Sequence, residues 1–194
     1  LKSRPDYFHD LVDVIEYAGM NDVFEKEEVT FFAPTDFSIN NSMKLLNYYW
    51  YNVLGKDSIT NINQIKPEVW KELLSLYVIK GKYVAKDIPQ LDTTAMDAYS
   101  GQAYVSYGGR AMNIGLVHHD ANGIKYAGYR QLLYSYVNDF VVNDMTNAYV
   151  ATSDMRTNNG VVQVIRLTDH KFGFSEKTFI SKAIAAGIID NTGN

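Results

Sequence analysis

The order of two patterns along the chain constrains the fold most. In the first half, apolar residues such as Phe8, Leu11 and Ile15 recur at helical spacing. From about Leu91, short alternating runs broken by glycine replace them, with Gly108-Gly109 as the strongest turn signal. Helices followed by turn-linked strands predict an α+β fold with an antiparallel sheet and with helices concentrated in the N-terminal half.

The individual elements can be placed from the same patterns. Helices are predicted from Phe8 to Ala18, over residues 42–54 and from Pro67 through Leu76. Early in the chain, the run Val29–Ala33 predicts a strand that ends at Pro34, and Thr35 and Asp36 are expected to cap the next helix. Later strands are predicted at 98–99, 103–107, 111–114, 124–126, 132–137, 148–152 and 161–167.

Charge and cysteine content exclude several classes of function. The 194 residues carry a net charge of −4 without a basic cluster, so bulk electrostatics do not favour binding to nucleic acid. The chain contains no cysteine, which excludes disulfides, thiolate metal sites and cysteine nucleophiles. No apolar run approaches the length needed to span a membrane.

Four ordered segments resemble the signatures of the fasciclin (FAS1) domain family. The run Thr30–Phe37, TFFAPTDF, is similar to the family's TVFAPTDxAF, and Asn159–Ile165, NGVVQVI, is similar to NGVIHVID. Between them, Leu76–Tyr83 resembles YHVVPGRY, and Asp10–Met20 resembles the opening helix of the family. The resemblance implies a FAS1 domain over residues 1–170, built as an antiparallel β-sandwich or wedge, that acts as a non-enzymatic extracellular module for binding or adhesion.

The signature residues are interpreted as structural rather than as a binding site. Proline ends a strand, and Asn-Gly is a turn dipeptide that can start the last strand. The positions concerned are Thr30, Pro34, Thr35, Asp36, Tyr77, Asn159, Gly160 and Gln163.

Two family histidines are replaced in this chain. Tyr77 stands at the histidine of the YH motif, and Gln163 stands at the histidine of the second signature. In animal members the first region has been tied to integrin recognition, and the substitution removes the chemical basis for that inference. Tyr77 and Gln163 remain able to hydrogen-bond each other as neutral groups.

The chain is longer than a plain fasciclin unit, and the extra length is assigned to insertions near 42–66 and 116–137. The sequence of the chain in these segments is similar to that of fasciclin-like surface lipoproteins of Bacteroidetes. That resemblance implies export to the outer surface of the cell envelope. Membrane attachment would then come only through a lipidated cysteine upstream of Leu1.

The C-terminal segment 171–194 is predicted to be helical and repeats the spacing of the opening helix. Phe179 corresponds to Leu11, Ile180 to Val12, Gly187 to Gly19 and Asp190 to Asp22. Two interpretations remain open: the start of a second FAS1 unit, or an unrelated amphipathic helix.

A candidate binding surface lies in the second insertion, where aromatic and planar polar side chains occur together as sugar-binding sites require. The alternative is that one face of this strand belongs to the core and the other is ordinary surface. The candidate residues are Tyr126, Tyr129, Arg130, Gln131, Tyr134 and Tyr136.

Metal and catalytic sites receive little support. His118-His119-Asp120 is the only cluster with metal-binding residue types, but adjacent strand residues point to opposite faces. No hydrolase, metalloprotease or nucleotide-binding motif occurs, so no catalytic residue and no cofactor are predicted. The expected partner is an extracellular protein or a glycan, including polysaccharide capture beside an uptake system. A hydrolase on a decorated sandwich is the alternative from another class.

Overall fold

The computed structural model describes residues 1–189 and confirms the α+β class with most helices in the N-terminal half. The main helices are α1 Pro5–Tyr17, α2 Asn21–Lys26, α3 Asp36–Asn47, α4 Pro67–Leu74 and α5 Glu176–Ala186. The strands are β1 Val29–Ala33, β2 Val78–Lys80, β3 Gln90–Leu91, β4 Gln102–Val105, β5 Ala111–His118, β6 Arg130–Asp139, β7 Asp144–Arg156 and β8 Gly160–Ile165.

The strands form one eight-stranded sheet in the order β2-β1-β8-β7-β6-β5-β3, with β4 also paired to β5. Most neighbouring strands run antiparallel, as the turn pattern predicts. Two pairings, β1 with β8 and β3 with β5, are parallel. Long connections separate these partners in the chain, so a tight turn does not impose the antiparallel direction on them. The predicted antiparallel arrangement therefore holds for most of the sheet, and these two parallel pairs are the exceptions in it.

The opening helix is joined to α3 by a side chain that the sequence pattern assigned to a cap. Thr35 is the residue before α3, and its side chain makes no capping hydrogen bond. The Asp36 carboxylate instead accepts a hydrogen bond of 2.9 Å from the backbone N–H of Leu11. Asp36 therefore fixes α1 against α3, and the prediction that Thr35 and Asp36 cap their own helix was wrong.

The first predicted insertion contains a change of helix type. The predicted helix over 42–54 is the end of α3 followed by a π-helical turn, Tyr48–Val53, which Gly55 ends at φ +63°. The wider turn leaves Tyr48 and Tyr51 exposed.

Among the predicted strands, two short runs are turns instead. The Gly108-Gly109 hairpin joins β4 to β5 as predicted. Residues 98–99 and 124–126 are not strands, and Tyr126 adopts φ +63° in the tight loop between β5 and β6. In both segments, apolar residues alternate with polar ones as they do in a strand, although the backbone forms a turn.

The C-terminal helix α5 packs into the core of this domain. Phe179 is fully buried, with its ring centroid 5.4 Å from that of Trp70, and Ala183 is buried beside it. Gly187 follows the helix at φ +89°. Asp190, which completes the repeat of the opening helix, lies outside the described residues, so a second FAS1 unit stays a prediction. No helix in residues 1–189 is both long and apolar enough to cross a bilayer.

Candidate binding surface and cleft

The structure separates the predicted binding residues into three places. Tyr126, Tyr129, Arg130 and Gln131 lie together at the end of the β5–β6 hairpin. Tyr134 is in the core, and Tyr136 borders a cleft at the other end of β6. We call the first group, with His119, the hairpin surface.

The hairpin surface presents an aromatic stack to solvent. The rings of His119 and Tyr129 are parallel within 16° at a centroid distance of 4.0 Å, and Tyr129 is 65% exposed. His119 is held from the other side, where its Nε2 lies 3.1 Å from Oε1 of Gln131. Gln131 also donates to the backbone carbonyl of Val150 on β7. Gln131 is therefore a bracing residue, and the accessible groups are Tyr129 and Arg130.

Hydrogen bonds to Asp92 anchor the tip of the hairpin. The Tyr126 hydroxyl donates to the Asp92 carboxylate at 2.8 Å, and the Lys125 ammonium lies 3.6 Å from it. The pKa of Asp92 is lowered to about 2 by hydrogen bonds from the hydroxyl and backbone N–H of Thr94 and from the Tyr126 hydroxyl. The positive charge of Lys125 lowers it further. The loop is thus fixed by a carboxylate that stays ionised in mild acid.

Arg130 carries a charge that its neighbours do not neutralise. Its guanidinium donates to the backbone carbonyls of Tyr126 and Gly128. No carboxylate within residues 1–189 lies closer than 4.0 Å to it. Together with partial burial, the Arg130 charge lowers the pKa of His118. The hairpin surface is therefore a braced aromatic loop that carries the Arg130 guanidinium.

The histidines of this loop do not assemble a metal site in the described part of the chain. His118 packs edge-on against Tyr126, and His119 is occupied by Tyr129 and Gln131. The residues that do bring three ligand atoms within 4.8 Å are His9, Asp10 and Asp13 on the solvent side of α1. They form an exposed cluster that sequence reasoning did not single out.

Tyr134 cannot contact a partner because its side chain is fully buried. Its ring stacks on Phe32 at 3.9 Å and 6°, and its hydroxyl donates to the backbone carbonyl of Leu76. Alternation places Tyr134 and Tyr136 on the same face of β6, as predicted, but that face is packed against the core.

Tyr136 helps to form a cleft of about 470 Å³ between α4, the β4–β5 turn and the segment before α5. The guanidinium of Arg110 lies 4.5 Å from the centroid of the Tyr136 ring and donates to the carbonyl of Val137. The side chain of Phe174 forms part of the floor. We call this feature the Arg110 cleft.

Tyr77 and Gln163 do not bond each other, which corrects the sequence-based expectation. Gln163 accepts from the backbone N–H of Asp154 and donates to its carboxylate. The Tyr77 hydroxyl accepts from the N–H of Gly173 at 2.7 Å and lies 2.7 Å from Nε2 of His170. The polar groups that replace the family histidines therefore satisfy two separate networks.

His170 is the buried partner that sequence reasoning missed. Burial lowers its pKa to about 3, and burial raises the pKa of Tyr77, so both are neutral at physiological pH. A neutral imidazole can accept at Nε2 the proton that the Tyr77 hydroxyl donates. The only signal in the sequence was the position of His170 beside the aromatic pair Phe172 and Phe174, which is too weak to identify a hydrogen-bond partner.

The signature residues make internal contacts. The Thr30 hydroxyl donates to the Gly81 carbonyl and accepts from the Tyr83 N–H. Asn159 donates to two carbonyls at the end of α2, and a Cβ at Gly160 would lie 2.4 Å from the carbonyl oxygen of Val29. Glycine is required there by the close approach of β1 to β8.

Known proteins were compared with the chain by sequence and by structure. No curated protein sequence matches it significantly. Among solved structures, it is similar to a FAS1 domain pair from the insect cell adhesion molecule fasciclin I, with 16% identity and a TM-score of 0.48. That alignment covers 86% of this chain and 45% of the other, so the chain spans less than half of the length of that structure. The family model "Fasciclin domain" matches residues 6–167. The chain therefore belongs to the fasciclin domain family.

Proposed function

We propose that this domain is a non-enzymatic binding or adhesion module of an exported cell-envelope protein, and that it contacts its partner through the hairpin surface. Membership of a family associated with cell adhesion and extracellular modules supports the general role. Attachment to the envelope would come through a lipidated cysteine upstream of Leu1. Neither the fold nor the family selects the contact residues, which have to be argued from the side chains.

The exposure of a braced aromatic ring is the observation that carries the proposal. Tyr129 is 65% exposed, yet its ring stacks on His119, which in turn is held by Gln131. A contact residue that is already ordered loses little conformational entropy on binding. Tyrosine and arginine are also the residue types enriched among the strongest contributors to interfaces, and here Arg130 lies next to Tyr129.

Glycan capture is the second candidate, and the flat exposed face of Tyr129 favours it. Sugar rings stack on such a face, while Arg130 offers donors to hydroxyl groups beside it. A polysaccharide-binding accessory of an uptake system would use the same residues as an adhesion module. The two candidates differ in the chemistry of the partner, which an array experiment separates.

The hydrolase alternative gains no support from the described residues. His170 is buried against Tyr77, and His119 contacts Gln131. His9 lies beside Asp10, and His118 packs on Tyr126. Within residues 1–189, none of these histidines hydrogen-bonds a serine or threonine hydroxyl, the pairing that an acyl-transfer nucleophile requires.

The test is a paired array of purified extracellular glycans and matrix proteins, probed with the domain and with Tyr129→Ala. We expect the dissociation constant of the best ligand to rise about tenfold in the variant, as for loss of one interfacial aromatic anchor. Tyr51→Ala is the matched control because Tyr51 is 54% exposed elsewhere on the surface.

Three outcomes would count against the proposal. Equal loss of binding in Tyr51→Ala and Tyr129→Ala would remove the hairpin surface from the contact. Absence of any ligand on both arrays would contradict a binding module. Cleavage of an array ligand by the unmodified domain would contradict its non-enzymatic character.

A further inference from the structure

The Arg110 cleft is a second concave feature that lies apart from the hairpin surface. Its volume of about 470 Å³ falls in the range of roughly 300–1,000 Å³ that small-molecule sites occupy. The Gly108-Gly109 turn and Ser175 border it. Tyr136 is the only residue predicted for the binding surface that lines this cleft.

Two contacts fix the position of the Arg110 guanidinium. Its guanidinium packs over the Tyr136 ring at 4.5 Å, and one of its N–H groups donates to the carbonyl of Val137. Both contacts leave other donors of the planar guanidinium free, and Arg110 is exposed to the cleft. An arginine fork fixed in this way suits a carboxylate, which it can bind through two parallel hydrogen bonds.

The charge of Arg110 is not neutralised within its surroundings. No carboxylate of residues 1–189 lies within 4.0 Å of its guanidinium. The other charged residues that line the cleft, Lys182 and Glu72, pair with each other at 2.6 Å. One positive charge therefore remains in the cleft of a chain whose net charge is −4. Such a charge attracts an anion locally rather than through the field of the whole protein.

Neutral hydrogen-bonding groups surround that charge. Asn138 and Thr146 line one wall, and Ser175 and Thr178 line the other. The guanidinium of Arg110 covers one face of the Tyr136 ring, and the ring of Phe174 packs against the Tyr136 ring at a centroid distance of 5.8 Å. We propose that the Arg110 cleft binds a carboxylate that carries several hydroxyl groups, of the uronic acid class. Arg110 binds the carboxylate, and the amide and hydroxyl side chains bind the sugar hydroxyls.

The groove continues beyond the size of one sugar ring. An adjoining cleft of about 450 Å³ shares Asn138, Thr146, Phe174 and Ser175 with the first. The ligand can therefore be a free uronic acid or one unit of an acidic glycan, and the two sources share the same recognition chemistry. This inference uses none of the hairpin residues and is independent of the function proposed for them.

Isothermal titration of the full chain with galacturonate and with trigalacturonate tests the proposal and separates the two sources. We expect Arg110→Gln to weaken binding of the tighter ligand at least tenfold, and Arg110→Lys to weaken it less, because lysine keeps the charge but loses the fork. Arg4→Gln is the matched control, since the Arg4 guanidinium also lies over a tyrosine ring, 5.0 Å from the centroid of Tyr7, but outside both the cleft and the hairpin surface. It should leave the titration unchanged. Melting curves of all variants establish that they fold.

Several results would overturn the proposal. The methyl ester of galacturonate is neutral and should bind at least tenfold more weakly than galacturonate itself. Equal binding of the two compounds would rule out a role for the carboxylate. Inorganic phosphate that binds as tightly as galacturonate would show a site for any anion rather than for a hydroxylated carboxylate. Absence of heat with both uronates, or equal binding by Arg110→Gln and the unmodified chain, would eliminate the site. An equal loss of binding in Arg4→Gln and Arg110→Gln would remove the site from the cleft.

Discussion

The hairpin surface and the Arg110 cleft each contain an arginine beside a tyrosine, but they differ in what supports them. At the hairpin, Tyr129 projects from a loop whose order depends on local hydrogen bonds. In the cleft, Tyr136 rests on Phe174, which belongs to the buried aromatic cluster of the core. The first site can change without disturbing the fold, whereas the second shares its floor with the fold.

The two regions also differ in how acid acts on them. Asp92 anchors the hairpin as an anion whose pKa is lowered to about 2. Beneath the cleft, His170 is buried in its neutral form with a pKa of about 3. The contact at the hairpin persists until the Asp92 carboxylate is protonated. At much higher pH, His170 of the unfolded chain already binds a proton, and this opposes its burial in the neutral form. Mild acid should therefore lower the unfolding free energy of the whole domain through His170 while the Asp92 contact at the hairpin stays in place.

Truncation of an aromatic residue should give the largest difference between the regions. Phe174→Ala removes a buried ring and should cost about 3–5 kcal/mol of unfolding free energy. Tyr129→Ala removes an exposed ring and should cost less than about 1 kcal/mol. Chemical denaturation of both variants measures the difference. Similar losses in the two would contradict the separation of the hairpin from the core.

The pH dependence of stability should show the burial of His170. Because its folded pKa lies below the ordinary value near 6.5, the contribution is fully present above pH 6.5 and declines as pH falls toward 3. At pH 5 the loss should be about 2 kcal/mol. His170→Gln keeps an acceptor for Tyr77 but does not titrate, so its denaturation profile between pH 7 and 5 should be flatter. A profile parallel to that of the unmodified chain would remove His170 as the cause.

Tyr136→Leu should have a smaller effect, confined to the cleft. The substitution removes the ring beneath Arg110, a contact of about 0.5–1 kcal/mol at an exposed site, so galacturonate binding should weaken about two- to fivefold. Tyr126→Leu, its counterpart in the hairpin, should leave that affinity unchanged. If both variants bind galacturonate like the unmodified chain, the ring does not position Arg110.

Asp92→Asn should give the smallest and most local effect. The loss of the carboxylate weakens the contacts of Tyr126 and Lys125, so amides over residues 119–129 should exchange faster with deuterated solvent. Exchange at the β4–β5 turn, which borders the cleft, should stay as it is. Faster exchange in both regions would show that the hairpin and the cleft are coupled.

Local sequence patterns predicted the elements but not which faces of them are free. The opening helix, β1, the Gly108-Gly109 hairpin and the last strand follow from periodicity and turn residues, which act over a few positions. The parallel pairing of β1 with β8 and the bond from Leu11 to Asp36 depend on contacts between distant residues, which periodicity does not encode.

The same distinction between local patterns and distant contacts applies to the residues of the candidate site. Tyr129, Arg130 and Gln131 lie in one short segment, so sequence proximity alone brought them together. Alternation placed Tyr134 and Tyr136 on one face without indicating that Phe32 covers the first and Phe174 supports the second. Arg110 lies in the β4–β5 turn, directly before β5, and only the register of β5 with β6 places it beside Tyr136.

A titration of the ¹⁵N-labelled chain with galacturonate, followed by amide chemical shifts, tests most directly whether the domain has two separate sites. We predict saturable shifts at Gly108, Gly109, Thr146 and Ser175, with residues 119–130 unchanged. Shifts confined to residues 119–130, or no saturable shift anywhere, would contradict the existence of a separate site in the Arg110 cleft.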